Sequence, residues 1–163
     1  MPKLAVVGTG YVGLTAGACL AHMGHQVVCV DRDAEKVERL TVGDVPIVEE
    51  GLTDLVVDGI ARGRLSFTTM LVEAVVGVDG VLLSLPTPTG SDGSTDLSVF
   101  EAVCGELGSV LASGTAVVVR STVPVGTTRR VPEMLGRSDL PVVAIPELLR
   151  EGTAVSDFLE PDR

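Results

Sequence analysis

The chain has 163 residues, 45% of them hydrophobic and 21% charged, with a formal net charge of −10 at pH 7. This size and composition predict a single globular domain with a sizeable core, and the acidic excess argues against nucleic acids and anionic membrane surfaces as partners. The chain has one Tyr, three Phe and no Trp. We therefore expect a core of Val, Leu and Ala, which is typical of parallel sheets covered by helices.

The first motif is a Gly-x-Gly-x-x-Gly spacing that follows the apolar run Leu4 to Val7. It predicts a strand, a tight turn and a helix. We expect Gly8 to make the turn, Gly10 to leave room for a pyrophosphate, and Gly13 to let the helix pack close to the strand. The amides and the dipole of the helix N-terminus would then favour a bound anion. Taken alone, the spacing also fits a glycine-rich turn that is merely compact.

A second apolar run, Gln26 to Val30, ends in Asp31, roughly the 20 residues beyond the glycines that a dinucleotide-binding βαβ unit requires. A carboxylate at this place accepts hydrogen bonds from the ribose hydroxyls and repels a 2′-phosphate, which favours NAD over NADP. The neighbouring Arg32 keeps NADP open, because a guanidinium can pair with that phosphate. An N-cap role for Asp31 on a helix over Asp33 to Leu40 is compatible with ribose binding.

The rest of the chain alternates predicted helices and strands. After a loop over Val42 to Gly51, we expect helices over Leu52 to Ala61, Leu71 to Val76 and Leu97 to Leu111, the last capped by Asp96. The expected strands are Arg64 to Thr69, Gly80 to Leu85, Ala116 to Val119 and Pro141 to Ile145. This alternation predicts parallel strands with right-handed crossovers. The expected fold is a Rossmann-like, doubly wound α/β domain with strand order 3-2-1-4-5-6.

Polar segments follow two of these strands at the edge of the sheet where such folds bind ligands. The segment Pro86 to Ser94 is expected to cover a cofactor, although an ordinary surface loop has the same composition. The segment Arg120 to Thr127 ends the next strand, and its Pro124 is expected to open a helix. Within it, the Thr122 hydroxyl is placed to hold a water or a substrate oxygen.

The segment Pro146 to Gly152 follows the last predicted strand and carries two carboxylates. Glu147 and Glu151 are four residues apart, so on a helical turn they would share one face. Such a pair could orient a water or act as a general base, and a solvated acidic helix face is the alternative.

The three cysteines, Cys19, Cys29 and Cys104, have neither paired nor metal-ligand spacing. They lie in apolar patterns, so we expect buried, protonated thiols in a protein of the reducing cytoplasm. No apolar run is long enough to span a bilayer, and no metal site is expected.

Several separate segments together resemble the successive signatures of the UDP-glucose/GDP-mannose 6-dehydrogenase family. The resemblance extends over the whole chain, in order and at the family's spacings. The segments are Gly8 to Leu14, Pro86 to Pro88, Ser121 to Thr127, Pro146 to Ala154, Asp157 to Phe158 and Pro161 to Arg163. The sequence differs from the family's usual pattern at Ile145 and Leu148, where the family has Asn and Phe.

The resemblance implies that a sugar-nucleotide C6 alcohol is oxidised to a carboxylate by two hydride transfers to NAD, in polysaccharide biosynthesis. In the family this passes through a cysteine-bound thiohemiacetal and thioester, which water hydrolyses. The resemblance places Tyr11 and Val12 in the cofactor turn beside Gly8, Gly10 and Gly13, whose roles the spacing predicts. It implies that Asp31 and Lys36 lie on the adenosine side of the cofactor, and that Thr87 and Thr122 lie on the nicotinamide side. It also implies catalytic roles for Thr122, Glu147 and Glu151, a further cofactor contact for Glu151, and substrate contacts for Glu147, Leu148, Leu149 and Arg150.

None of the three cysteines matches the family's nucleophile, and the central helix and C-terminal sugar-nucleotide domain of the family have no counterpart in these 163 residues. We therefore expect residues 1–163 to be an NAD-binding N-terminal domain that does not complete the oxidation by itself. UDP-glucose is the expected nucleotide sugar, and a complementary C-terminal half is a candidate partner. A stand-alone NAD-binding module that regulates or complements a partner is one alternative, and a β-hydroxyacid dehydrogenase with a similar cofactor domain is another.

Overall fold

A computed structural model describes residues 1–161, so the Asp162 and Arg163 of the last signature lie outside the described residues. The chain forms six strands and seven helices within this range. They are β1 (Lys3–Val7), α1 (Tyr11–His22), β2 (Gln26–Val30), α2 (Ala34–Thr41), α3 (Leu52–Ala61), β3 (Leu65–Thr68), α4 (Leu71–Ala74), β4 (Gly80–Leu83), α5 (Ser98–Val110), β5 (Ala116–Val119), α6 (Thr127–Leu135), β6 (Val142–Ala144) and α7 (Ala154–Leu159).

The strands form one parallel sheet in the order β3-β2-β1-β4-β5-β6, which confirms the predicted topology. The registers align the strand ends: Val7 pairs with Val30 and with Leu83, and Leu83 pairs with Val119. The segments that follow these residues therefore leave the sheet side by side at its carboxyl edge. This edge is where open α/β sheets bind their ligands.

Helices cover both faces of the sheet. One core cluster contains Phe100 and Leu107 of α5 and Val131 of α6, packed on the strands. The other contains Leu14 of α1, Leu40 of α2 and Val56 of α3. Helix α7 returns to this second face, where Val155 and Phe158 pack against the cluster and the helix contacts α1. The doubly wound arrangement is therefore complete on both faces.

One predicted helix start was wrong and another differs by one residue. Helix α5 begins at Ser98 with Leu97 as its N-cap residue, and the Asp96 carboxylate accepts a hydrogen bond at 2.8 Å from the Ser98 amide, one of the first-turn amides without an intrahelical partner. Pro124 does not open a helix: α6 begins at Thr127, after Gly126 in a left-handed conformation. In residues 1–161, no helix combines the length and the hydropathy that a membrane span requires.

Candidate functional site

The Gly8 turn connects β1 to α1 in very little space. The Gly8 amide donates a hydrogen bond to the Val30 carbonyl oxygen at 2.8 Å, and Gly8 has a φ of 99°. A Cβ at Gly13 would lie 1.8 Å from the Gly8 carbonyl oxygen. Helix α1 can therefore approach the strand end only because Gly13 has no side chain, which is the packing role that its position predicts.

The N-terminus of α1 is open to a ligand. Gly10 is exposed, and a Cβ built there would meet no atom within 4 Å. No side chain caps the helix with a hydrogen bond, and its first turn contains no acidic residue, so no side chain occupies its first amides at the positive end of the dipole. The open space and the free amides fit a dinucleotide pyrophosphate. Tyr11 and Val12, which begin the helix, are half-buried.

Asp31 is a well-anchored carboxylate at the end of β2. Its side chain is 12% exposed. Its Oδ2 accepts hydrogen bonds from the Thr9 amide at 3.1 Å, from the Thr9 hydroxyl at 2.6 Å and from Lys36 Nζ at 2.8 Å. Burial alone would raise the pKa of this carboxyl group, but the hydrogen bonds from Lys36 and Thr9 outweigh it and lower the pKa to about 2. The group therefore stays ionised, which suits recognition of ribose hydroxyls.

The N-cap role considered for Asp31 was wrong. Asp33 caps α2, because its side chain accepts a hydrogen bond from the Lys36 amide. Asp31 Oδ1 instead accepts a hydrogen bond from the Asp33 amide at 3.1 Å. Arg32, the residue that kept NADP open, is exposed and makes none of these contacts to Asp31.

A buried carboxylate, that of Glu49, contacts the Tyr11 hydroxyl. Its Oε2 accepts hydrogen bonds from the Tyr11 hydroxyl at 2.5 Å and from the Gly152 amide at 2.8 Å, and its Oε1 accepts one from the Ala154 amide at 2.9 Å. Burial, followed by the bond to Glu49, raises the pKa of Tyr11 to about 12. Sequence reasoning assigned Glu49 no role. The sequence shows it only as part of an acidic pair, Glu49 and Glu50, in a loop that also contains apolar residues.

The ends of β4 and β5 are linked on the predicted nicotinamide side of the site. The Thr87 hydroxyl donates a hydrogen bond to the Thr122 carbonyl oxygen at 2.7 Å, which brings these two predicted site residues together. The Ser121 hydroxyl accepts a hydrogen bond from the Leu85 amide at 2.8 Å and donates one to the Leu83 carbonyl oxygen at 3.2 Å. These bonds hold the loop Pro86 to Ser94 and the loop after β5 in a fixed relation at the carboxyl edge.

A cleft of about 360 Å³ opens between the loops that follow β5 and β6, and its lining includes Arg120, Thr122 and Glu147. Arg120 Nη2 donates to Glu147 Oε2 at 2.8 Å, and the Arg120 side chain is only 8% exposed. The guanidinium also lies over the Phe158 ring, 5.6 Å from its centroid. Its buried Nε has no hydrogen-bond partner. Sequence reasoning noted Arg120 only as the start of a polar segment and missed this ion pair.

Glu147 and Glu151 do not share a helical face, so that prediction was wrong. Residues 145–150 have no helical structure, and Glu147 Oε1 accepts a hydrogen bond from the Leu149 amide at 2.7 Å instead. Such local bonds to the backbone compete with helix formation. Glu151 is exposed.

The predicted substrate residues after Glu147 extend from the cleft toward α7. Leu148 is 58% exposed and Leu149 is half-buried. Arg150 pairs with Asp157 of α7 at 2.5 Å, and the bond from Arg150 is the main cause that lowers the pKa of Asp157 to about 2.

The three cysteines are free and buried, as predicted. Burial raises the pKa of Cys19, Cys29 and Cys104 to about 12 in each case. A nucleophilic cysteine needs a thiolate, so these thiols are inert at neutral pH. Among residues 1–161, no group of three or more His, Cys, Asp or Glu side chains is arranged to hold a metal ion.

A glycine turn leading into an uncapped helix, followed by an anchored aspartate at the end of the second strand, defines a dinucleotide-binding domain of the Rossmann class. The sequence model of the UDP-glucose/GDP-mannose dehydrogenase family, NAD binding domain, matches residues 2–163. The chain therefore belongs to this family, as its NAD-binding domain. This assignment decides against the β-hydroxyacid dehydrogenase alternative.

Individual relatives agree with the family assignment. A UDP-glucose 6-dehydrogenase from Pseudomonas aeruginosa is 46% identical over 169 residues, covering 99% of this chain and 37% of the relative. A UDP-glucose dehydrogenase structure from Pyrobaculum islandicum superposes with a TM-score of 0.91 at 40% identity, covering 100% of this chain and 40% of the other. A ternary complex of GDP-mannose dehydrogenase from Pseudomonas aeruginosa gives a TM-score of 0.90 at 37% identity, with 97% and 39% covered. The chain thus spans well under half the length of these relatives.

Proposed function

We propose that this chain supplies the NAD-binding half of a nucleotide-sugar 6-dehydrogenase, which oxidises a sugar C6 alcohol to a carboxylate. UDP-glucose is the proposed substrate, since the relatives include UDP-glucose 6-dehydrogenases. The single observation that carries the proposal is that the cleft with Thr122 and Glu147 opens at the same sheet edge as the glycine turn and Asp31. A cofactor and a reacting alcohol can therefore meet there.

In this proposal the amides of α1 bind the dinucleotide pyrophosphate, with Gly10 leaving room and Tyr11 and Val12 lining the turn. Asp31 accepts the adenosine ribose hydroxyls, while Lys36 keeps that carboxylate ionised. Thr87 and Thr122 lie on the nicotinamide side. NAD, when bound, supplies the hydride acceptor.

The residues of the cleft act on the substrate side. Arg120 holds Glu147 in place by a nearly buried ion pair, and Glu147 orients a water with the help of the Thr122 hydroxyl. Glu151 contacts the cofactor or the same water, and Leu148, Leu149 and Arg150 lie along the substrate.

The chemistry also needs a nucleophile that residues 1–161 do not offer, because all three cysteines are buried thiols. A C-terminal polypeptide that carries the nucleophile and reads the sugar nucleotide is therefore the proposed partner. The cytoplasm is the proposed compartment, since a reducing environment keeps such unpaired thiols reduced. The proposed context is polysaccharide biosynthesis.

A chimera tests the proposed cofactor-binding and catalytic roles of this chain, while the donor's C-terminal part sets the sugar nucleotide. Residues 1–163 replace the matching N-terminal part of the Pseudomonas aeruginosa UDP-glucose 6-dehydrogenase, and NADH formation is followed with NAD and UDP-glucose, GDP-mannose or UDP-N-acetylmannosamine. We expect turnover by the chimera with UDP-glucose, and none by the 163-residue chain alone.

Glu147→Gln in the chimera is expected to slow acid formation, while Glu106→Gln on an exposed part of α5 serves as the matched control. A folded chimera that binds NADH but forms no product, beside an active parent enzyme, would contradict the catalytic proposal and favour the regulatory module.

A further inference from the structure

Glu49 joins three parts of the chain that are far apart in sequence. It lies at the end of the loop between α2 and α3, and the residue is 8% exposed. Its carboxylate accepts hydrogen bonds from the Tyr11 hydroxyl at the start of α1 and from the amides of Gly152 and Ala154. The Tyr11 hydroxyl also lies 3.2 Å from the Arg150 carbonyl oxygen. Glu49 and Tyr11 therefore hold residues 150–154 beside the first turn of α1.

Apolar contacts also attach α7 to the face that α1 covers, independently of the Glu49 carboxylate. Ala154 is fully buried, and Val155 and Phe158 pack against the core cluster that contains Leu14 of α1. A carboxylate removed from water is tolerated only when hydrogen bonds replace its hydration, and here the Tyr11 hydroxyl and the Gly152 and Ala154 amides supply such bonds. The specific effect of Glu49 is thus to fix the orientation of Tyr11 and of the backbone at Gly152.

This orientation affects the open end of α1. Tyr11 directly follows Gly10, where a Cβ would meet no protein atom. Residues 150–154 include Glu151, which is exposed next to the amide that Glu49 binds. A loss of the Glu49 bonds would free both the Tyr11 ring and this segment next to the space at Gly10.

We propose that Glu49 is a positioning residue of the dinucleotide site, which acts through Tyr11 and the Gly152 and Ala154 amides to hold residues 150–154 at the N-terminus of α1. The inference rests on the proposed function, in that the dinucleotide pyrophosphate binds at this terminus. Because coupling between two sites is reciprocal, the fixed segment strengthens cofactor binding and the bound cofactor in turn protects the segment.

The test compares Glu49→Gln with Glu50→Gln in the 163-residue chain. Both variants remove one negative charge, but Glu50 is exposed, so it controls for net charge. NADH affinity is measured by its fluorescence, and exchange of the Gly152 and Ala154 amides is measured by NMR with and without NADH. For Glu49→Gln we expect NADH binding about tenfold weaker and faster exchange at both amides. For Glu50→Gln we expect wild-type values.

The outcomes separate the two proposals. If the wild type binds NADH and both variants bind it with the same affinity, the Glu49 inference alone is overturned. This holds even if the amides exchange faster in Glu49→Gln, because Glu49 would then be purely structural. Failure of the folded wild type to bind NADH overturns the proposed function and this inference together. If Glu49→Gln does not fold, Tyr11→Phe removes the hydroxyl bond to Glu49 and is tested in its place. It must weaken NADH binding and speed exchange at Gly152 for the inference to stand.

Discussion

Substitution of Gly13 by alanine tests the close approach on which the turn depends. A Cβ at this position would lie 1.8 Å from the Gly8 carbonyl oxygen and 3.0 Å from its carbon. An ordinary carbon–oxygen contact is about 3.3 Å, so the helix and the turn would have to separate by more than about 1 Å. The turn has little freedom to move, since Gly8 has a φ of 99° and its own Cβ position lies 2.3 Å from the Ser84 carbonyl oxygen.

The size of the effect follows from two opposing contributions. Forcing extra volume into a packed interior costs about 3 kcal/mol in a site this tight, whereas alanine gains about 1 kcal/mol over glycine within a helix. We therefore expect Gly13→Ala to lower the free energy of unfolding by about 2 kcal/mol. In a domain of this size, that loss corresponds to a fall in Tm of about 4–8 °C.

Thermal and urea unfolding followed by circular dichroism measure this loss. Gly105→Ala is the matched control, because Gly105 is exposed in α5 and a Cβ there meets no atom within 4 Å. It should raise the Tm by about 2–4 °C through helix propensity alone. A Gly13→Ala protein that melts at or above the wild-type temperature, while the control behaves as stated, would refute the close-packing argument.

Three further predictions concern the same edge of the sheet. Gly10→Ala should keep the unfolding free energy within about 1 kcal/mol of wild type, because its Cβ would meet no protein atom within 4 Å. It should still weaken NADH binding strongly, since the Cβ would enter the space proposed for the pyrophosphate; equal NADH affinity would contradict this. Tyr11 is the single tyrosine, so tyrosinate absorbance after a stopped-flow jump to pH 11 reports its ionisation alone. With its pKa raised to about 12, about 9% of Tyr11 should be ionised at that pH, against about 91% of an ordinary tyrosine. A titration midpoint near pH 10 in the folded chain would be the contrary result. Below its unfolded pKa, Tyr11 contributes its full stability, which is lost as the pH rises toward about 12. Asp31, whose pKa is lowered to about 2, stabilises the fold above pH 4 and loses that contribution as the pH falls toward 2. In Asp31→Asn, the free energy of unfolding should therefore fall less steeply between pH 4 and pH 2 than in the wild type. An unchanged slope of unfolding free energy against pH would contradict this.

Much of the fold could be predicted because the buried strands are continuous apolar runs between glycine and polar segments. The bounds of β2 at Gln26–Val30, α3 at Leu52–Ala61 and β5 at Ala116–Val119 agree with the prediction. The strand order follows from right-handed crossovers, and it places Asp31 and Thr122 at the same edge. These are consequences of local pattern and general topology.

The errors and omissions concern interactions that spacing does not encode. Glu147 and Glu151 have helical spacing, but Glu147 bonds to the Leu149 amide and to Arg120, and residues 145–150 have no helical structure. Glu49 meets Tyr11 across 38 residues. The contacts of Glu147 with Arg120 and of Glu49 with Tyr11 arise only when the sheet has brought distant loop segments together, so in the sequence these residues look like solvated charges.

The most direct test of the central claim is a titration of the purified chain with NADH and with NADPH. The glycine turn, the open N-terminus of α1 and the ionised Asp31 predict saturable NADH binding, at least about tenfold tighter than NADPH binding because the carboxylate repels a 2′-phosphate. Absence of NADH binding by the folded chain, or tighter binding of NADPH, would contradict the account.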